Sequence, residues 1–260
     1  MKDHEKLFKE ADVIVLVTGR DMCAAQGQSL VCNVAGLTAV GGACTQYRAV
    51  VVEDTPWTYN VVRDMAHELA HSLGCVHDGD GPDSFVPDHP GAKSCPWSDG
   101  YLMSYVKNGT NQFRFSKCCA QELMHVARLK SHACLHKKAT KKRIAKTSDL
   151  PGAKVSLDDQ CRMTFAYRNM DYILDKDVAH IGCTIPCRSP TLYDEKGSYY
   201  RSGNASAVDG TPCDGKKKIC LRGECVQFPP KKKSKKPKKK CKKPKNGKKT
   251  KTTTTKGKGM

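Results

Sequence analysis

Fifteen cysteines constrain the fold of this 260-residue chain more than any other feature. Eight lie in residues 1–135 and six in residues 154–228, while Cys241 stands alone near the end. Their spacings are not the C-x-x-C pairs of zinc ribbons, so a disulfide framework is the better interpretation. Because both groups are even, each can close its own disulfides, which predicts two modules. Cys241 is then either free or paired with another molecule.

The net charge of +19 divides the chain further, because it is concentrated in two segments. Residues 231–260 hold sixteen lysines and no acid, and a second acid-free basic run follows the first module. Such segments do not build a core and are typical of linkers and disordered tails. The predicted boundaries are a first module over 1–135, a basic linker over 136–148, a cysteine-rich module over 149–228 and a disordered tail over 229–260.

One stretch of the first module has the spacing of a catalytic zinc site. His67 and His71 are four residues apart and share one face of a predicted helix. Gly74 can end that helix in a left-handed turn, after which the chain doubles back and brings His77 as a third ligand. Three protein ligands leave a tetrahedral position open for water, which distinguishes a catalytic zinc from a structural one. Glu68 can reach that water and act as the general base.

The alternative is that these are ordinary surface or core histidines. A lone H-E-x-x-H motif occurs often by chance, but the extended form, H-E-x-x-H-x-x-G-x-x-H, fixes five positions. We therefore favour the metal site.

The hydrophobic pattern of the first module predicts strands that precede a long helix. Residues 13–17 form a continuous apolar run that predicts a buried strand, residues 37–40 an edge strand, and residues 49–52 a third strand. Apolar residues recur every four positions from Val61 to Leu73, which predicts the apolar face of one long helix. A second amphipathic helix is predicted near residues 120–132.

Two features around the histidines resemble the metzincin metalloproteases. Tyr101-Leu102-Met103-Ser104-Tyr105 resembles the family's Met-turn, and Asp78 directly after the third histidine matches the reprolysin (adamalysin, M12B-type) branch. Residues 11–104 look like the second half of a reprolysin catalytic domain. The resemblance implies an α/β, zincin-like fold with a mixed sheet and an active-site helix, and zinc-dependent hydrolysis of peptide bonds. It also implies that Met103 packs beneath the histidines and that Asp78 has a structural role. It also suggests disulfides between Cys44 and Cys134 and between Cys23 and Cys32.

The second module is similar to the disintegrin-like, cysteine-rich module of ADAMTS-type proteases. The segments Cys183-Thr184-Ile185-Pro186-Cys187 and Asp209-Gly210-Thr211-Pro212-Cys213 carry this likeness. The two modules followed by a lysine tail look most like secreted salivary metalloproteases of blood-feeding arthropods. The family's first strands and helix, before Ala11, are absent, so the catalytic domain is expected to be N-terminally incomplete. Their absence also removes residues of the family's structural calcium site, which argues against Ca²⁺ here.

The predicted setting is extracellular, with the signal peptide and pro-segment missing from this chain. The cysteines and two glycosylation sequons, at Asn108 and Asn204, support a secretory route, and no transmembrane segment is predicted. The expected partners are extracellular or plasma proteins as substrates, and sulfated glycosaminoglycans or anionic surfaces for the tail. A nucleic-acid role does not fit the disulfide framework. The alternative function is a truncated, catalytically impaired relative that binds matrix or cell surfaces through its cysteine-rich module and tail.

Overall fold

A mixed three-stranded sheet forms the base of the first module. The structure is a computed structural model that describes residues 8–32, 34–55, 58–107, 109–137, 150–215 and 217–227. In the sheet, β1 (Ile14–Thr18) runs parallel to the central strand β5 (Ala49–Glu53), and β4 (Gly36–Thr38) runs antiparallel to β5 on the other edge. The predicted α/β class with a mixed sheet is confirmed, and β4 is the edge strand expected near residues 37–40.

A separate hairpin, β2 (Ala24–Gln26) with β3 (Ser29–Val31), lies between β1 and β4 in the chain. The Cys23–Cys32 disulfide closes its base.

The prediction that the first strand is buried is wrong. Val15, Leu16 and Val17 are 38%, 59% and 45% exposed, although the strand itself forms as expected. The physical reason is its place in the sheet. The helix of the first module packs across β5 and β4, so β1 lies at the edge beyond the helix.

That helix is α1 (Asn60–Ser72), which carries the first two histidines. The expected apolar face is only partly buried, and Val62 is 64% exposed. The buried side chains are instead those of His67, Glu68, Ala70 and Ser72. The side of the helix that carries His67 and Glu68 therefore faces the interior more than its most apolar side does.

A second helix, α2 (Lys117–Val126), begins earlier and ends earlier than the predicted 120–132 segment. Its start is set by Ser116, whose hydroxyl accepts a hydrogen bond from the backbone N–H of Cys119. Short 3₁₀ helices complete the module at Trp97–Asp99, Asn111–Phe113 and Lys130–His136.

The second module contains one helix and three small β units. Helix α3 (Leu157–Phe165) lies between 3₁₀ segments at Pro151–Ala153 and Ala166–Arg168. It packs on an antiparallel sheet in the order β10-β7-β6, formed by Ser202–Ser206, Thr184–Arg188 and Ile173–Leu174. The other two β units are hairpins of strands that are adjacent in the chain. They pair β8 (Leu192–Asp194) with β9 (Gly197–Tyr199), and β11 (Lys218–Leu221) with β12 (Glu224–Gln227).

Seven disulfides join the described cysteines, and none crosses between the two groups. The first group forms Cys23–Cys32, Cys44–Cys134, Cys75–Cys119 and Cys95–Cys118. The second group forms Cys161–Cys187, Cys183–Cys220 and Cys213–Cys225. The two pairings suggested by the family resemblance are both present.

Several predictions fall outside the described residues: those for Cys241, the lysine tail, Asn108 and most of the basic linker. Within the described ranges, no helix combines the length and the apolar character that crossing a membrane requires.

Candidate active site

Three histidine side chains converge at the C-terminal half of α1. His67 Nε2 lies 3.1 Å from His71 Nε2 and 3.2 Å from His77 Nε2, and the distance between the last two is also 3.2 Å. The helix places the first two rings, one turn apart, on the same face. The third arrives from the turn that follows the helix.

Backbone carbonyls fix the orientation and the tautomer of the first two rings. His67 Nδ1 lies 2.8 Å from the Leu102 carbonyl oxygen, and His71 Nδ1 lies 2.7 Å from the Cys75 carbonyl oxygen. Because a carbonyl oxygen only accepts, each Nδ1 carries the proton and each Nε2 keeps a free lone pair. The third ring has a carboxylate in the corresponding place, since His77 Nδ1 lies 3.6 Å from Asp80 Oδ2.

Burial keeps the histidine cluster uncharged. It lowers the pKa of His67 to about 4 and the pKa of His71 to about 3, with the neighbouring histidines adding to the effect. Burial also lowers the pKa of His77, against the opposing effect of Asp80. At neutral pH the three rings therefore present three unprotonated nitrogens to one point.

This donor set fits a zinc ion. Three neutral imidazoles with an open fourth position are the ligands of a catalytic zinc, and two nitrogens of a tetrahedral site with Zn–N bonds of about 2.05 Å lie about 3.3 Å apart. The observed separations of 3.1–3.2 Å are close to that value. Among the described residues, these histidines also form the one metal-type cluster that contains no disulfide cysteine.

Glu68 lies beside the cluster, between α1 and the edge strand. It is 7% exposed, and burial raises the pKa of its carboxyl to about 7, with Asp64 adding to the shift. Gly36 of β4 faces it closely: a Cβ at position 36 would lie 2.6 Å from Glu68 Oε1 and 2.7 Å from Cδ. Glycine at position 36 therefore leaves the space that the Glu68 side chain occupies.

The turn after α1 is held by backbone conformation and by α2. Gly74 has φ of 112°, which a residue with a Cβ rarely adopts, and it packs against Val126 of α2. Asp78 is buried, its Oδ1 accepts a hydrogen bond of 2.5 Å from the Ser116 hydroxyl, and its pKa is raised by burial. These contacts place Asp78 as a link between the third histidine and α2 rather than in the cleft.

Met103 is fully buried and packs with Ala70 and Cys75, which are close in the chain to His71 and His77. Its carbonyl oxygen accepts the backbone N–H of Asp78 at 3.0 Å. Arg63 of α1 donates a hydrogen bond of 2.8 Å to the Ser104 carbonyl, so α1 also holds the turn that contains Met103 and Ser104. That Met103 is the Met-turn residue beneath the histidines stays a prediction.

A cleft of about 380 Å³ opens in front of the histidines. One wall is β4 together with Val40, and the opposite side carries Asp80, Asp83 and Tyr105. Leu37 on the strand wall is 65% exposed. An extended chain lying in this cleft would run beside β4, whose other edge is paired with β5.

The predicted glycosylation positions lie away from this cleft as far as the structure describes them. Asn204 is an exposed residue of β10 in the second module.

Sequence reasoning missed three side chains around the third histidine. Asp80 contacts the His77 ring, and His89 and Glu122 are buried behind the turn. Glu122 could have been noticed, because its spacing from Cys118 and Val126 puts an acid on the apolar face of a helix. His89 lies in a loop with no periodic signal.

Two family models match the chain. Residues 17–128 match the model described as metallopeptidase family M12B, reprolysin-like, and residues 151–226 match ADAMTS cysteine-rich domain 2. The first range contains the whole histidine cluster, and the second contains the six cysteines of the second module.

Similar proteins come from arthropods and mammals. "A disintegrin and metalloproteinase with thrombospondin motifs like" of Bombyx mori is 32% identical, over 85% of this chain and 32% of that protein. "A disintegrin and metalloproteinase with thrombospondin motifs 7" of Mus musculus is 34% identical, over 83% of this chain and 12% of that protein. An antarease-like venom metalloproteinase of Tityus trivittatus is 36% identical, over 45% of this chain and 31% of that protein.

The chain thus spans a third or less of the length of these relatives. The matches to the Bombyx mori and Mus musculus proteins nevertheless cover 85% and 83% of this chain, so they extend into both modules. The chain belongs to the M12B reprolysin-like metallopeptidases through residues 17–128 and carries an ADAMTS cysteine-rich domain in residues 151–226.

Proposed function

We propose that this chain is a secreted zinc endopeptidase that hydrolyses peptide bonds of extracellular proteins. The observation that carries the proposal is the convergence of three unprotonated imidazole nitrogens beside a buried carboxyl group. His67, His71 and His77 would hold the metal. A zinc ion bound there supplies a Lewis acid that polarises a peptide carbonyl and lowers the pKa of water toward about 7.

Glu68 is the general base of the proposed reaction. Its carboxylate takes a proton from the attacking water, whose oxygen forms a bond to the carbonyl carbon of the substrate. When the carbon–nitrogen bond breaks, Glu68 returns that proton to the leaving amine. A pKa of about 7 suits both steps, because the group can accept and release a proton near neutral pH.

The substrate would lie extended along β4 and add its backbone to the edge of the sheet. Two features support this placement: β4 is an edge strand that lines the cleft, and Gly36 brings its backbone close to Glu68. The Leu37 side chain, exposed in the same wall, would contact a substrate side chain.

An extracellular location is proposed on the disulfides. Seven disulfides in the described residues require an oxidising compartment in which to form and persist. An impaired binding protein is the less favoured function, because the chain has all three histidines and the glutamate that the proposed reaction needs.

The test is Glu68→Gln, which keeps the size of the side chain but removes the base. We expect one equivalent of zinc by elemental analysis and a loss of about 10²–10⁴-fold in the cleavage rate of denatured gelatin, the range that general acid–base catalysis contributes. A chelator should abolish cleavage by the unsubstituted protein.

Glu195→Gln, at an exposed position of the β8–β9 hairpin, is the matched control and should cleave at the normal rate. Full activity of Glu68→Gln would exclude Glu68 as the base. A folded, zinc-loaded protein that cleaves no denatured protein would instead favour the binding function.

A further inference from the structure

A buried pair of titratable side chains lies behind the turn that brings His77 to the site, and the proposed reaction does not use it. Glu122, on the inner side of α2, is fully buried, and neither of its carboxylate oxygens makes a hydrogen bond within the described residues. His89 is buried as well, and its Nε2 lies 3.5 Å from Glu122 Oε1. Burying a carboxyl group without hydrogen bonds lowers the stability of the fold, so this position is a candidate for a functional role.

His89 ties two parts of the chain together. Its Nδ1 accepts a hydrogen bond of 3.0 Å from the backbone N–H of Asp83, so the ring proton must be on Nε2. Nε2 in turn lies 2.7 Å from the Gly74 carbonyl oxygen, to which it donates. His89 thereby connects Asp83, in the loop after His77, to Gly74, in the turn before His77.

Glu122 faces the same turn from α2. The backbone N–H of Val76 is near enough to lower the pKa of its carboxyl, although it forms no hydrogen bond of ordinary geometry. Cys75 is bonded to Cys119, one helical turn before Glu122, and Gly74 packs on Val126, one turn after it. Each residue of the segment 74–76 is therefore held by α2 or by His89, and His77 follows directly.

We propose that Glu122 and His89 are positioning residues for His77, holding the 74–76 segment where the His77 ring reaches the other two histidines. This inference rests on the proposed metal site and adds to it two residues that contact neither metal nor substrate. Partners behind metal ligands commonly tune affinity about 10- to 100-fold.

The charge on Glu122 gives the proposal a specific signature. Burial raises the pKa of Glu122 to about 7, with Val76 opposing the shift and Asp78 and Asp80 adding to it. The groups nearest the carboxyl are the His89 Nε2–H, which is donated to Gly74 but lies 3.5 Å from Oε1, and the Val76 N–H. Both present a partial positive charge, so the ionised form attracts the segment more strongly than the acid does. The remaining titratable neighbour is His125, whose ring lies 6.4 Å from that of His89.

Ionisation of Glu122 holds the 74–76 segment more strongly but lowers the stability of the fold. A carboxyl whose pKa is raised from 4.5 to about 7 keeps its proton in the folded protein at pH values where the unfolded chain has lost it. The free energy of unfolding therefore falls as pH rises from about 4.5 to 7. One side chain would thus strengthen the metal site and weaken the protein in the same pH range.

The decisive variant is Glu122→Gln, which preserves shape and removes the charge. We expect the metal-free variant to melt about 5 °C higher than the unsubstituted protein at pH 8 and at the same temperature at pH 5. We expect its zinc affinity, measured by competition with a chelator and without substrate, to be about 10-fold weaker at pH 8. The difference in zinc affinity should shrink toward pH 6.

His89→Phe should weaken zinc binding in the same way, because it removes both hydrogen bonds of the ring. Gln160→Leu, a buried polar residue of the second module, is the matched control: it should lower the melting temperature and leave zinc affinity within about twofold. If His89→Phe does not fold, the isosteric Glu122→Gln still decides.

Zinc affinity of Glu122→Gln within twofold of the unsubstituted protein at pH 8 would overturn the inference. Failure of the unsubstituted protein to bind zinc would instead overturn the proposed function, so the two failures are distinguishable.

Discussion

The two modules bury polar side chains in opposite ways. In residues 17–128 the interior contains ionisable groups, among them His67, Glu68, Asp78, His89 and Glu122. In residues 151–226 a cluster of cysteines and apolar side chains fills the interior, with Phe165 stacked on Tyr172 at 4.4 Å between ring centroids. The polar side chains buried there have partners: Asp175, 2% exposed, accepts the backbone N–H of Asp177 and lies 3.5 Å from Arg188 Nη1.

Gln160 of the second module shows the difference most clearly. Gln160 is 2% exposed, yet its side-chain nitrogen donates to the Val155 carbonyl and the Thr211 hydroxyl, while its oxygen accepts from the Val208 N–H. Glu122, equally buried, has no such partners. A buried amide with its hydrogen bonds made costs the fold little, whereas a buried carboxyl without them costs a great deal.

The comparison shows that the first module is the one that gives up stability by burying a carboxyl group without hydrogen bonds. Shifted pKa values are common where chemistry takes place, and the groups whose pKa is shifted chiefly by burial, such as His67, Glu68 and Glu122, lie in the first module. The second module places its disulfide cysteines in the core cluster itself.

The largest effect that would test this contrast is the removal of one disulfide from each module. Cys161→Ser with Cys187→Ser should cost about 2–5 kcal/mol of unfolding free energy. Since this bond lies in the core cluster, hydrogen exchange should rise throughout residues 157–206 while zinc affinity stays unchanged. Cys75→Ser with Cys119→Ser should lower zinc affinity as well, because Cys75 lies two residues before His77. Equal zinc affinity in both double variants would break the comparison.

A smaller effect is expected from Gly36→Ala, which probes the first module alone. The new methyl group would overlap Glu68 and displace its carboxyl. Displacing a reacting group by about 1 Å costs about 100-fold, so kcat/KM should fall by that amount with zinc content unchanged.

Gly19→Ala is the control for Gly36→Ala, since the nearest neighbour of a Cβ there is 4.0 Å away. Unchanged kcat/KM in Gly36→Ala would show that Glu68 does not depend on the space left at position 36.

The smallest effect concerns the contact between the modules. Arg114 pairs with Glu224, and both side chains are about two-fifths exposed, at 41% and 46%. Exposed ion pairs contribute about 0.2–1 kcal/mol, so Arg114→Ala should change the unfolding free energy by no more than that in chemical denaturation. A loss of several kcal/mol would mean that the modules depend on each other and would blur the distinction between them.

Much of the site could be predicted because its signals are local. Four-residue spacing put His67 and His71 on one helix face, and Gly74 has the left-handed backbone conformation expected of it. The burial pattern could not be predicted, because it depends on which elements pack together. Residues 14–18 formed a strand as expected, yet the strand is exposed, since α1 covers its neighbours.

The sequence by itself predicted the metal ligands and the base, and it determined the two groups of cysteines and the strands of the first sheet, because each depends on spacing or periodicity along the chain. Only the tertiary structure decided which side of α1 faces inward and that Glu122 and His89 meet behind Gly74. Those contacts join residues far apart in the chain, and their burial and charge follow from packing rather than from local pattern.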